Sequence, residues 1–330
     1  MFNTIYLEDS IRSHPRTLAI LDRFPSIPRV ICDRYSEVFN PKAQSFRLQK
    51  KNPSLILAEK FNNFVLPAPE SYGIGASQNF YFSHMLNCLY DCRYCFLQGM
   101  YQSAHYVLFV NYEDFQSAIE STIASLPDEN LHFFSGYDCD SMAFEPISHF
   151  AEFFLPFFKN TSRSLMELRT KSTQIRTLLN QEPVEQCLIA YSLTPEKIAA
   201  AVEHKTPSVE RRLSAMQSLQ RQGWQIGLRF DPLLYQSSYQ KDYENLFEGV
   251  FSILNADKLH SVSLGGFRLP KSFYSTLSNM YPDERLFASP LEEVNGQVAY
   301  KKQLSEELLS FCREQLERYL PADKIFICEY

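Results

Sequence analysis

Glycine is scarce, with ten residues in a chain of 330, and tryptophan occurs once. So little glycine excludes a collagen-like or low-complexity chain. A basic excess is missing too. Lysine and arginine total 32 against 38 aspartates and glutamates, a net charge of −6. That excludes a wholly basic nucleic-acid coat but not a local basic groove. Long apolar runs are also absent. The longest stretch without a charge, residues 71–90, carries Ser, Gly, Gln, Asn and His and does not suit a membrane span. The opening MFNTIYLEDSIRSHPR places charges where the apolar part of a secretory leader would lie. The expectation is a soluble, cytoplasmic protein.

Core-forming residues, by contrast, are plentiful. The chain is 45% hydrophobic, with 27 phenylalanines and 19 tyrosines, which argues against global disorder. Its length allows one large domain or two smaller ones. Eight cysteines stand at Cys32, Cys88, Cys92, Cys95, Cys139, Cys187, Cys312 and Cys328. In a reducing cytosol they are not expected to form a disulfide framework. Three of them fall within eight residues, and that crowding needs a chemical reason.

Residues 1–80 read as an N-terminal lead-in, with short strands at 5–7 and 29–32 around a helix at 10–21. Residues 41–53 hold Lys42, Arg47, Lys50 and Lys51 with no acid, either a solvated loop or a phosphate-contacting arm. From residue 81 short apolar runs alternate with helical periodicity. The runs are 106–110, 131–134, 165–168, 188–191, 226–230 and 261–264. The helices are 115–124, 147–158, 175–179, 209–222 and 243–254. Such alternation implies parallel βα units, in an open doubly wound sheet or a partial barrel, with chemistry at the C-terminal strand ends. Asn295-Gly296 between apolar residues marks a hairpin. A helix at 304–320 and a last strand at 324–330 follow.

The decisive segment is Asn87-Cys88-Leu89-Tyr90-Asp91-Cys92-Arg93-Tyr94-Cys95-Phe96-Leu97-Gln98. A Cys-x3-Cys-x2-Cys spacing lets three thiolates hold three irons of a four-iron four-sulfur cluster, leaving the fourth iron open to a small molecule. Structural zinc is the rival, with His84 as fourth ligand, although zinc sites usually pair their cysteines across a long loop.

Three cysteines at this spacing, with aromatic Tyr94 before the last, resemble the signature of radical S-adenosylmethionine enzymes. Cys95-Phe96-Leu97-Gln98 narrows the resemblance to the spore photoproduct lyase family. Co-linear segments extend it along most of the chain: Ile5-Tyr6-Leu7-Glu8, Gln44-Ser45-Phe46-Arg47-Leu48, Ala190-Tyr191-Ser192-Leu193-Thr194, Gly223-Trp224-Gln225-Ile226-Gly227 and Phe267-Arg268-Leu269-Pro270-Lys271.

The resemblance implies an α/β fold, a partial (β/α)6 TIM-like barrel of the radical S-adenosylmethionine type. Its barrel would span 81–270, after the lead-in and before a C-terminal hairpin and helix extension at 271–330. The implied activity is a DNA-repair lyase that reverses a UV-induced thymine lesion through a 5′-deoxyadenosyl radical. The implied cofactors are a 4Fe-4S cluster and S-adenosylmethionine. The implied partners are UV-damaged DNA and a small reductant protein such as flavodoxin or ferredoxin, with no membrane. The alternative is a radical enzyme acting on another nucleic-acid base or a peptide.

By the same resemblance Cys88, Cys92 and Cys95 are cluster ligands, and Tyr94 lies against the adenine. Phe96 stands where family members commonly have tyrosine. Ser135 and Gly136 approach the methionine amine, Lys171 its carboxylate, and Ser192 the nucleoside or the carboxylate. The family's hydrogen-donating cysteine aligns with Tyr137, and Cys139 lies two residues later. Both are donor candidates. Arg268 and Lys271 are phosphate candidates, whereas Arg211 and Arg212 read as solvated helix residues. The Asn295-Gly296 turn replaces an Arg and Tyr that the family carries near the lesion.

Overall fold

The computed structural model describes residues 2–69 and 73–328. Two sheets carry the chain. The larger has eight strands in the spatial order Leu66–Pro67, Gln78–Tyr81, Leu131–Phe134, Ser164–Thr170, Cys187–Ser192, Gln225–Leu233, Leu259–Gly266 and Ile325–Ile327, reversed from one edge to the other. All of its pairings are parallel except that of Leu66–Pro67 with Gln78–Tyr81. Parallel neighbours require crossover helices, and Phe150–Phe158, Val209–Gln222 and Tyr239–Ile253 supply three of them. The sheet curls into the half-barrel expected.

Its strands read as apolar runs because helices cover their outer faces. Every residue of Cys187–Ser192 is buried. The helix Val209–Gln222 begins where Ser208 accepts a bond from the Arg211 amide and ends at Gly223, whose φ of 109° needs no Cβ. The expected helix at 147–158 is two pieces, Glu145–Ser148 and Phe150–Phe158, broken at His149 with φ 50°.

One strand assignment changes. Tyr106–Phe109 is not the first barrel strand. It belongs to a second sheet, ordered Arg29–Cys32, Ile5–Glu8, Leu55–Ala58, Tyr106–Phe109 and Met85–Leu86. The first barrel strand is Gln78–Tyr81, parallel to Leu131–Phe134. An apolar run fits either sheet equally well, so only tertiary pairing separates them. The hairpin forms as expected, with Asn295 and Gly296 at positive φ between Leu291–Val294 and Gln297–Tyr300. The last strand is Ile325–Ile327, and residues 329–330 of that expected strand lie outside the described residues.

The inner face of the curl is ionic. Arg229 donates two bonds to the buried Glu167 carboxylate, at 2.7 and 3.1 Å, and others to the Ser261 carbonyl and hydroxyl. Burial opposes the Glu167 charge, but the guanidinium outweighs it and holds the carboxyl below its usual range. Gly227 leaves the space: a Cβ there would lie 3.0 Å from the Arg229 guanidinium nitrogens. Breaking one side of such a pair strands a buried charge. Glu167→Gln is therefore expected to lose about 3–5 kcal/mol in urea unfolding, and the joint change with Arg229→Met less. Equal losses in single and double variants would contradict this account.

Candidate active site

A cavity of about 570 Å³ opens at the C-terminal ends of the barrel strands, within the size range of small-molecule sites. Cys88, Cys92, Cys95, Tyr94, Phe96, Gly136, Tyr137, Cys139, Lys171 and Ser192 all line it. Among the proposed site residues Ser135 alone does not. It is buried, with its hydroxyl bonded to the Glu167 carbonyl and to Ser141, both at 2.8 Å. Gly136 meets the wall because a Cβ there would lie 2.7 Å from the Ser141 hydroxyl.

The cysteine loop is fixed locally. Asn87 precedes Cys88 with φ 67°, a conformation asparagine tolerates. Its side-chain amide donates to the Ser103 and His105 carbonyls at 2.7 and 2.8 Å. Gln98 donates to the Cys92 carbonyl at 2.5 Å and accepts from the Tyr281 hydroxyl at 2.7 Å. Lys50 corrects its reading as part of a solvated loop or phosphate arm. It is 6% exposed, and its ammonium donates to the Cys88 and Tyr90 carbonyls at 3.0 and 3.1 Å.

Burial pushes the Cys88 thiol up to about 12, a rise that Asp140 increases and Lys50 opposes. Burial also raises Cys92 and Cys95, and Lys171 opposes both rises. Metal binding requires thiolates, and the two ammonium groups favour them. Three thiols in one cavity beside two cations fit an iron–sulfur cluster. The fourth ligand that the zinc alternative invoked does not join them. Among the described residues no three His, Cys, Asp or Glu side chains share a position that could hold a metal ion. His84 lies off the cavity, fully buried and stacked on Phe150 at 3.7 Å.

Lys171 sits 4.0 Å from a Glu203 oxygen and 5.5 Å from the centre of the Tyr94 ring. The Tyr94 hydroxyl donates to Glu203. Arg212 corrects its reading as a solvated helix residue. It is fully buried, donating to Glu203 at 2.5 Å and to the Ser192 carbonyl at 3.2 Å. Burial works against the Glu203 charge, but Lys171 and Arg212 hold its carboxyl below the usual range.

The two donor candidates occupy different settings. Tyr137 stacks on Tyr81 at 4.3 Å and lies 5.5 Å from Phe96. Cys139 is 5% exposed and packs into the core of the second sheet with Leu55, Leu57, Tyr106 and Phe144. Asp140 locks the loop between them and Lys171. Its carboxylate accepts from the Met142, Ala143 and Lys171 amides and from the Thr170 hydroxyl.

Arg268 also lines the cavity, paired with Asp231 at 3.0 and 3.3 Å, and Asp231 also lies 3.8 Å from Arg169. Gly265 makes room, since a Cβ there would lie 2.7 Å from Asp231. Lys271 is exposed and paired with Glu293 at 2.8 Å. Sequence reasoning missed Lys50, Glu203, Arg212, Asp140 and Asp231 as site builders. Glycine within the strands at 227 and 265 was the one signal of close side-chain approach.

The family profile described as spore photoproduct lyase matches residues 76–327. Spore photoproduct lyase of Clostridium acetobutylicum is 22% identical, over 97% of this chain and 96% of its own. That of Bacillus subtilis is 20% identical over 72% of each. Among solved structures, a cysteine variant of spore photoproduct lyase superposes with a TM-score of 0.87 at 17% identity, covering 100% of this chain and 98% of the other. A double variant with bound AdoMet and dinucleoside spore photoproduct also gives 0.87 at 17% identity, covering 100% and 99%.

Lys50 braces the cysteine loop through two carbonyls. Lys50→Met is expected to bind clearly less than the roughly four irons per chain expected of the native protein after anaerobic reconstitution. Its DNA affinity should keep the native salt dependence. Unchanged iron with a flatter salt slope would return Lys50 to a phosphate-contacting role.

Proposed function

The chain belongs to the spore photoproduct lyase family, and on that premise we propose that it is a radical S-adenosylmethionine lyase that reverses a UV-induced thymine lesion in DNA. The observation that carries this reading is the meeting of three cysteines, Tyr94, Lys171, Ser192 and a hydrogen-bearing Tyr137 or Cys139 around one cavity. Cys88, Cys92 and Cys95 would hold a 4Fe-4S cluster, with S-adenosylmethionine beside it. Bound there, the two supply one-electron chemistry that ends in abstraction of a hydrogen atom from the substrate.

The chain's own groups orient and contain that chemistry. The Lys171 ammonium suits the methionine carboxylate, and charge-assisted bonds of this kind are the strong ones. The Gly136 backbone can approach the methionine amine because nothing projects from it. Tyr94 and Phe96 offer apolar faces to the nucleoside, and the Ser192 hydroxyl offers a bond. Aromatic and apolar residues that also line the cavity, Phe46, Leu269, Pro270 and Phe273, keep the reacting centre dry. A hydrogen returns to the product from Tyr137 or Cys139. Tyr137 stands in an aromatic wall facing the cavity, while Cys139 is held deeper beside the loop of Cys88.

The electron comes in this reading from a small carrier of the flavodoxin or ferredoxin type. Exposed Lys42, Arg47, Lys51 and Lys271 remain for contact with DNA phosphates, and the protein acts in the cytoplasm. Among the described residues no helix is long and apolar enough to cross a membrane. Action on another base or on a peptide is the second reading. It is favoured by Tyr137 at the aligned donor position and by the Asn295-Gly296 turn where the family carries Arg and Tyr.

Turnover is the test. Anaerobic protein with S-adenosylmethionine and dithionite should convert dinucleotide spore photoproduct to two thymines. S-adenosylmethionine cleavage without any repair would favour the second reading. The donor is separable. If Tyr137 donates, Tyr137→Phe keeps S-adenosylmethionine cleavage but yields adducts with small reductants, while Cys139→Ala repairs cleanly; the reverse pattern assigns Cys139. On DNA, each of Arg47, Lys51 and Lys271 changed to Gln should flatten the salt dependence by roughly one unit, measured as affinity against salt.

A further inference from the structure

The Glu203 side chain is fully buried, and the residue stands within the crossover after the fourth barrel strand, Cys187–Ser192, between the helices Glu196–Val202 and Val209–Gln222. Its backbone pairs antiparallel with Cys92, and the next pair joins His204 to Asp91. The neighbouring Arg93 amide donates to the Val202 carbonyl at 2.8 Å. This short ladder ties the cysteine loop to the barrel. The side chain then reaches three more groups. It accepts from the Tyr94 hydroxyl, it meets Arg212 at 2.5 Å, and it lies 4.0 Å from the Lys171 ammonium. Arg212 extends the contact to the Ser192 carbonyl, the Pro207 carbonyl and the Thr206 hydroxyl.

One buried carboxylate therefore faces two cations, the fully buried Arg212 and the Lys171 that lines the cavity, and the three groups sum to one positive unit beside Cys92. Buried charge is weakly screened. The electron affinity of an iron–sulfur cluster follows the net charge and hydrogen bonding around it. We propose that Glu203 is a positioning residue that sets the charge felt at the cysteine loop, and through it the potential at which the bound cluster accepts its electron. The inference rests on the cluster-binding reading above and deepens it. Glu203 holds the loop by its backbone and balances the two cations by its side chain. A hydrophobic residue at 203 would keep the ladder and lose the balance.

Charge and shape are separable by substitution. Glu203→Gln keeps the size and the bond to Tyr94 but removes the negative charge. The joint change of Glu203→Gln with Arg212→Gln removes one charge of each sign, which buried pairs often tolerate better than a single loss. The experiment is a redox titration of the anaerobically reconstituted proteins followed by electron paramagnetic resonance. The single variant should shift the midpoint potential upward, since an electron is added more easily beside an uncompensated positive pair. The double variant should return it toward the native value. Native potentials in both variants would overturn the inference and leave Glu203 a packing residue. If the single variant does not fold, a double variant whose potential departs from the native one would overturn it. A native chain that assembles no cluster would overturn the functional reading itself.

Discussion

The Glu203 carboxylate sits where four elements converge: the cysteine loop, the end of the strand Ser164–Thr170, the end of the strand Cys187–Ser192 and the start of the helix Val209–Gln222. Each of the other charges at this point, Lys171 and Arg212, would be costly to bury alone. Together with Glu203 they form one ion-paired group, in which Arg212 is hydrogen-bonded to the carboxylate and Lys171 lies 4.0 Å from it. The compensation fixes Tyr94, Lys171 and Ser192 relative to Cys92. Three residues far apart in sequence thus become one cavity wall because a single buried carboxylate joins them.

The same device recurs deeper in the half-barrel. Glu167 and Arg229 cross the intervening strand, and Asp231 holds Arg268 near the rim while lying close to Arg169. Strands with helices on their outer faces would normally put only apolar residues inward. Here the inner face is an ionic column with glycines at 227 and 265 cut away to fit it. Polar groups preorganised in a low-dielectric space do not need to reorient during reaction. The column is a rigid floor and wall for a site that otherwise stands on loops.

Around that frame of charges, the family resemblance places three departures from the family pattern. By that resemblance Phe96 stands where a tyrosine is common, Tyr137 aligns with the donor cysteine, and Asn295-Gly296 falls where the family carries Arg and Tyr. Tyr137 stacks on Tyr81 and meets Phe96 at a tilt, and Phe96 and Tyr137 both line the cavity. The first two positions are neighbours in space, so they are read together as one altered stretch of wall.

Much of this was legible in the sequence. Strand–helix alternation indicated parallel βα units, Asn-Gly gave the hairpin, Ser208 and Gly223 bounded their helix, and the cysteine spacing named its chemistry. These signals are local: a period, a turn propensity, three ligands in one short loop. What the sequence left open depends on contacts between distant residues. The run Tyr106–Phe109 pairs equally well with either sheet until both exist, and it joins the second. Lys50 and Arg212 look like surface cations because their burial is decided only by carbonyls and a carboxylate brought to them by the fold. Glu203 carries no motif at all. Its role comes from where the crossover passes between its two helices, opposite Cys92, a placement that only the folded half-barrel determines.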